Sequence, residues 1–300
     1  MKIGSTDIVD CKIGTTQVNK VYLGSNLAWE KSSPLLLDLY PNAASAYSLR
    51  KLRTAYAGSA IRVRRSSDNA EQDINFVGNE LDTASLLSFV GAGNGTISVW
   101  YDQSGEGFDV TQVAVTNQPF IVLAGSLVEE NGKPSIYFNG TNELISQSNT
   151  NYGTSSRSLF LASKLNEAVS TRGIVSLTNL SDGAGRLWII TPEIAARANT
   201  YTWISSTPLP SDNLSILSNI YTSGLLLSGN SMWLNGNGIV RTAGANGVVN
   251  TSIGKLYIGN NGLGGGRINA FISEFVAYQS DQTGNRLSIE SNINSHYTIY

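Results

Sequence analysis

Short runs in which apolar and polar residues alternate dominate the chain. Ile61–Arg65, Ile97–Tyr101, Phe120–Leu123, Ser135–Phe138, Leu159–Ser163, Gly173–Leu177 and Arg186–Ile190 each read as a strand. So do Ile216–Tyr221, Gly224–Ser228, Ser231–Leu234, Ile239–Arg241, Lys255–Ile258 and Ala270–Tyr278. Asn235-Gly236, between Trp233 and Ile239, is a hairpin-type turn. Three stretches show helical spacing instead. Ala43–Tyr56 puts Ala46, Leu49, Leu52 and Tyr56 on one face and Arg50, Lys51 and Arg53 outward, with Gly58 to end it. Thr83–Val90 opens at Asp82 and closes at Gly91. A last helix spans about Asp281 to Tyr297, with Leu287, Ile289, Ile293 and Tyr297 on or near one face.

The first thirty residues repeat. Lys2-Ile3-Gly4-Ser5, Lys12-Ile13-Gly14-Thr15 and Tyr22-Leu23-Gly24-Ser25 follow one another, each a short apolar strand entering a Gly-Ser/Thr turn. One such unit cannot bury its own face, so the units must stack or dock. Residues 1–31 are therefore expected to form a small β module. It is either a cap on the rest of the chain or an attachment device whose contacts are Ile3, Ile13, Tyr22, Leu23 and Trp29. Polar Glu30-Lys31-Ser32-Ser33 and Pro34 mark a linker, and residues 35–300 read as one domain.

Composition narrows the class. Charged residues are 14% of the chain and glycines number 30, as expected for many short strands joined by tight turns. The net charge of -2 lacks the concentrated positive field that nucleic acid requires. Cys11 is the sole cysteine, so no intrachain disulfide forms. The N-terminus shows no apolar leader, and no apolar run approaches the ~18 residues of a membrane span. The expectation is a chain made in a cytoplasm, without membrane insertion.

The sharpest motifs cluster early. The block Ala46-Tyr47-Ser48-Leu49-Arg50 through Ile61-Arg62-Val63-Arg64-Arg65-Ser66-Ser67-Asp68 is followed by Gln72-Asp73-Ile74 and then Val99-Trp100-Tyr101-Asp102-Gln103-Ser104-Gly105. This combination resembles the catalytic β-sandwich of the fungal α-L-arabinofuranosidase B family, and is similar to a block in phage virion proteins with a concanavalin-A-like or laminin-G-like sandwich. Downstream, Gly132–Asn142, Met232–Gly236, Leu256–Gly259 and Ile272–Tyr278 occur in the order found in such sandwiches. The resemblance implies an all-β, antiparallel two-sheet concanavalin-A-like sandwich (jelly roll) with a few short helices, preceded by the N-terminal β module. It implies two rival functions. The first is a non-enzymatic structural protein of a tailed-phage virion, a head or tail fibre or decoration protein. Its partners would be other virion proteins and host-surface carbohydrate, and it would form a homo-oligomer, with a trimer as the expected state. The alternative is a glycoside hydrolase of the α-L-arabinofuranosidase type.

Residue chemistry gives candidates for both. Asp102 can organise its turn by accepting backbone N–H bonds, with Gly105 supplying positive φ. Arg62, Arg64, Asp68, Tyr101, Asp102 and Trp203 are the candidate ligand contacts. Trp203, before a Pro-rich turn, is the expected exposed aromatic, whereas Trp188 and Trp233 are expected in the core. A glycosidase needs two carboxylates roughly 5–9.5 Å apart. Asp68, Asp73, Asp102, Glu143, Asp182, Glu193 and Glu274 are available, but the family's cysteine-bearing catalytic segments find no counterpart. No catalytic residue is nominated, and the expectation is a protein without hydrolytic activity. His296 is the only histidine, which excludes a multi-histidine metal site, and is expected on a helix surface. The loop Gly262–Arg267 lacks the Lys-Ser/Thr pair of a phosphate loop. Calcium stays open as a ligand of the Asp- and Asn-rich loops, without a set of metal ligands to name.

Overall fold

A computed structural model describes residues 2–3, 6–7, 11–18, 20–30, 34–148, 153–166, 172–178, 187–191, 193–198, 201–222, 226–247, 254–262 and 266–300. The chain divides into two compact units, Met1–Leu35 and Leu36–Tyr300.

The first unit contains three separate hairpins. Lys2–Ile3 pairs with Thr6–Asp7, Cys11–Ile13 with Thr16–Val18, and Lys20–Leu23 with Asn26–Glu30. Gly14 and Gly24 sit at the two described turns with φ of 63° and 65°, where an L side chain would be strained. Ile13 and Leu23 are 76% and 69% exposed, and Tyr22 is exposed too. The side chains of Ile3, Cys11 and Trp29 lie outside the described residues.

The second unit is an antiparallel sandwich. In one sheet Ala43–Ser48 pairs with Asn269–Tyr278. Asn269–Tyr278 pairs in turn with Arg157–Leu165, then come Ser215–Tyr221 and Asn230–Leu234. In the other, Val110–Thr111, Leu144–Ser146, Lys255–Ile258 and Arg172–Thr178 follow one another. Leu187–Thr191, Glu193–Ala198, Tyr201–Pro208 and Arg241–Ala245 continue that sheet. The main core joins Tyr47, Trp100, Phe138, Leu161 and Phe275 with residues of the second sheet such as Ile174, Leu177, Leu256 and Ile258. A separate cluster covers the outer side of the first sheet. There Ile289, Ile293 and Tyr297 of the helix Arg286–Tyr297 meet Leu36, Ala46, Phe160 and Val276.

Several sequence expectations need correction. Ala43–Ser48 is a strand, not the start of a helix running to Tyr56. Ala46 belongs to the outer cluster and the adjacent Tyr47 to the main core, so both faces of this strand are buried. A strand covered on two sides shows no polar–apolar alternation, and its small residues imitate a helical stripe. In the expected strand Gly224–Ser228, Leu226–Gly229 is a helical turn, with 224–225 outside the described residues. The final helix begins at Arg286, and Leu287 is 64% exposed. Tyr201–Pro208 is a strand, where the sequence suggests only the approach to a Pro-rich turn. The helix Thr83–Val90 stands as expected, with the Asp82 carboxylate accepting from Ser85 N–H.

A buried polar knot ties the first sheet to the final helix. Glu274, fully buried on Asn269–Tyr278, accepts from Arg50 Nε at 2.8 Å and Nη2 at 2.9 Å, and from Ser48 Oγ at 2.8 Å. Tyr297 Oη, from the helix, lies 3.3 Å from the same carboxylate. Burial works against the charge of Arg50, but Glu274 outweighs it and holds the guanidinium above its usual pKa. Burial, then the Glu274 charge, raises the Tyr297 phenol well above its ordinary value. Gln103, also fully buried, donates to the carbonyls of Ser48 and Arg50 and accepts from Leu52 N–H.

Removing one partner of a buried ion pair leaves the other uncompensated, at a cost of about 3–5 kcal/mol. Glu274→Gln or Arg50→Met is therefore expected to lower the unfolding free energy by about that amount in urea titrations. The double change Arg50→Met with Glu274→Leu should recover a large part of it. Additive losses in the double variant would show that the two side chains do not act as a pair.

Candidate functional site

The candidate contacts on the Ile61–Arg65 strand form a surface ladder of ion pairs. Ile61–Arg65 pairs with Glu71–Ile74, so Arg62 stands opposite Asp73 and Arg64 opposite Glu71. Arg62 binds Asp73 through both ends of its fork, at 2.8 and 2.9 Å, and Arg64 Nη2 reaches Glu71 at 2.5 Å. Asp68 pairs with Arg65 instead, at 2.7 Å, and joins neither Arg62 nor Arg64. Tyr101 Oη donates to Asp73 at 2.7 Å, so Arg62 and Tyr101 meet on one carboxylate. The Arg62 hydrogen bonds hold the Asp73 carboxyl below its ordinary pKa, while burial and then Asp73 itself raise the Tyr101 phenol. Arg62 and Tyr101 are thus spent on Asp73, and of the Arg64 guanidinium Nη1 and Nη2 are engaged while Nε has no partner.

Asp102 does what its turn demands. Its carboxylate accepts from Ala46 N–H and Ser104 N–H at 2.8 and 2.9 Å, from Ser104 Oγ at 2.6 Å, and from Phe108 N–H at 3.0 Å. Gly105 has φ of 98° against the Arg53 guanidinium, so no side chain is accommodated there. Asp109, not singled out from the sequence, accepts from Asp102 N–H. Burial raises its pKa, the hydrogen bond opposes this, and the nearby Asp102 charge adds to the rise. The Asp102 turn is a structural hub.

Glu143 heads a second committed cluster. It binds Arg267 Nη2 at 2.5 Å and accepts from Asn260 Nδ2, with Tyr257 close enough to feel its charge. Glu274 is spent in the knot described above. The side chains of Glu193 and Trp188, and the whole of Asp182, lie outside the described residues. Among the described residues no group of three His, Cys, Asp or Glu side chains converges as a metal site.

Trp203 is a correction. It is 3% exposed and sits in the main core cluster, on a strand whose pairing places it opposite Ala196 and Gly244. Trp233, expected in the core, is only partly buried. The two line one groove of about 370 Å³ with Asn230, Ser231, Met232 and Arg241. Trp203 and Arg241 lie on strands of the second sheet, and residues 230–233 on a strand of the first.

His296 also departs from expectation. Its side chain is 12% exposed, packed edge-on against Tyr297. Burial, then the charges of Arg50 and Lys133, depress its pKa to about 3. Glu80 lies 3.7 Å away but is half exposed and already bound to Lys133, so it does not offset the burial.

Comparison with known proteins finds one family model, over part of the chain. Residues 39–126 match the catalytic-domain model of α-L-arabinofuranosidase B. Among solved structures, a GH54 α-L-arabinofuranosidase soaked with a cyclic sulfate inhibitor superposes with a TM-score of 0.66 at 14% identity over 84% of this chain. An arabinofuranosidase complexed with arabinofuranosyl-α-1,2-xylobiose gives 0.57 at 15% identity over 84%. At these identities the likeness concerns the fold. This chain covers 62% of each of those two chains. No curated protein matches the sequence. The all-β sandwich is thereby the same architecture as in GH54 arabinofuranosidases.

Two outcomes follow. Asp102→Ala strands buried N–H groups of Ala46, Ser104 and Phe108, and is expected to cost about 3 kcal/mol or more in denaturant unfolding. Arg62→Ala, at an exposed pair, should cost under about 1 kcal/mol, and equal effects would contradict the distinction. For His296 the folded pKa lies below the unfolded value, so the unfolded state binds the extra proton between about pH 6.5 and pH 3. Its contribution is full above about pH 6.5 and is lost as pH falls toward 3, with a slope near 1.4 kcal/mol per pH unit. His296→Gln should flatten that stretch of the stability–pH curve; an unchanged slope would contradict the assignment.

Proposed function

We propose that the Leu36–Tyr300 unit is a glycan-handling sandwich of the arabinofuranosidase type. Its ligand class would be arabinofuranosyl or related side chains, and glycoside hydrolysis is the activity the comparisons favour. The observation that carries this reading is the match of residues 39–126 to the arabinofuranosidase B catalytic model, supported by superposition over 84% of the chain. It runs against the sequence expectation of an inert protein. The described carboxylates Asp68, Asp73, Asp102, Glu143 and Glu274 are all held in ion pairs or turn contacts. A catalytic pair would thus draw on other residues, and Asp182 and Glu193 are the remaining carboxylates named from the sequence.

A second reading, placement in a virion, is favoured by the N-terminal hairpins. Three two-stranded hairpins that share no sheet are marginal in isolation. Ile13, Tyr22 and Leu23 are exposed on them. A repeated device of this kind suits docking on other virion proteins or on sister chains, with a homo-oligomer as the assembled form. The two readings are compatible, since a displayed sandwich can also cleave or bind a host-surface glycan.

Incubation of the full chain with aryl α-L-arabinofuranosides and with arabinan tests the first reading. Sugar release that disappears in Glu193→Gln or Asp182→Asn is the expected result. Absence of both release and binding would refute the reading, while binding without release would leave the sandwich as a lectin-like module.

A further inference from the structure

We propose that the strand Arg241–Ala245 is a self-association edge, pairing antiparallel with the same strand of a second copy of this chain across a two-fold axis at Gly244. The surface belongs to the sandwich, is separate from the hairpins of the first unit, and does not depend on which ligand the sandwich takes. Arg241–Ala245 pairs on one side with Tyr201–Pro208. Among the described residues no strand pairs with its other side. The strands next to it in the chain are committed elsewhere. Asn237–Gly238 pairs with Asn230–Leu234, and Lys255–Ile258 lies between Leu144–Ser146 and Arg172–Thr178. All five residues of Arg241–Ala245 are exposed. For Gly244, which has no side chain, that exposure is of the backbone itself. An open strand edge carries a row of N–H and C=O groups ready to pair with another strand.

Strand edges in folded proteins are usually guarded by charge, proline or a covering segment. The edge strand Glu71–Ile74 of the first sheet follows that rule, with exposed Glu71 and Asp73. Thr242-Ala243-Gly244-Ala245 carries neither charge nor proline. Its register against Tyr201–Pro208 is regular over Ala243–Ala245 and shifts only between Ile204 and Ser205, so the flat stretch is centred on Gly244.

This edge is complementary to itself. Around a two-fold axis at Gly244, Ala243 of one copy meets Ala245 of the other, Thr242 meets Asn246, and the two Gly244 backbones cross at the centre. No bulky side chain stands in the way. The two Arg241 side chains fall at opposite ends, ~20 Å apart along the strand direction, so like charges do not face each other. A second copy supplies this match by symmetry alone. An edge this short buries less than the ~1,200–2,000 Å² of a standard stable interface, so the pairing is weak and is populated where chains are held close together.

Disulfide trapping of the full chain in a Cys11→Ser background tests the proposal. Opposite residues of an antiparallel pair have Cα atoms about 4.5–5.5 Å apart, a span that a disulfide closes. A chain carrying Ala243→Cys is mixed with a size-tagged chain carrying Ala245→Cys under mild oxidation. The mixed dimer is expected in several-fold excess over that from chains carrying Val113→Cys, a position 89% exposed away from this edge. Hydrogen exchange of the unmodified chain gives a second readout. The amides of residues 241–245 should slow as protein concentration rises, and those of Glu71–Ile74 should not. Ala243→Lys with Ala245→Lys sets like charges opposite one another and should abolish that slowing, with the circular dichroism spectrum unchanged. Gly244 is left alone, because a Cβ there would lie 2.2 Å from Thr202 O. Mixed dimer at the Val113→Cys level, or exchange at residues 241–245 that ignores concentration, overturns the proposal and leaves the edge to a strand of another protein. Neither result touches the arabinofuranosyl reading, which rests on sugar release and binding.

Discussion

The Arg50–Glu274 pair is the constraint around which the sandwich is arranged. Two opposite charges with almost no access to water are tolerable only when every lone pair and proton is met. Ser48, Tyr297 and Gln103 meet them, directly or through the backbone that carries Arg50. The pair therefore fixes four segments at once: the edge strand Ala43–Ser48, the central strand Asn269–Tyr278, the turn around Gln103 and the final helix. The Asp102 turn extends the same network, since its carboxylate holds the N–H of Ala46 on that edge strand. The most motif-rich part of the sequence is thus explained mainly by architecture.

That has a consequence for function. The residues that most resemble an arabinofuranosidase are those of the knot and its neighbouring ladder, and their side chains are bound to one another. They hold the sandwich together and supply little free chemistry of their own. Fold likeness and site identity separate here in the usual way.

Much of the fold was legible because its elements announce themselves locally. The Asp82 cap, the Asn235-Gly236 turn and the short apolar strands each carry their own signal, and Asn235 and Gly236 adopt φ of 48° and 80° as such a turn requires. The Asp102 turn was readable for the same reason. Failures occurred where burial came from distant segments. Ala43–Ser48 lost its alternation because the outer cluster and the main core cover its two faces. Trp203 and Trp233 exchanged their expected exposures because sheet stacking decides which indole is covered. His296 lost its surface place to packing against Tyr297.

The motif-rich knot is scaffold, its charged and polar side chains spent on one another. A crystal structure of the full chain soaked with an α-L-arabino-oligosaccharide tests it directly. The expected result is that the Arg50–Glu274 and Asp102 contacts stay unchanged and that no sugar density lies against them. Sugar bonded to Arg62, Tyr101 or Asp102, with those internal contacts broken, would contradict it.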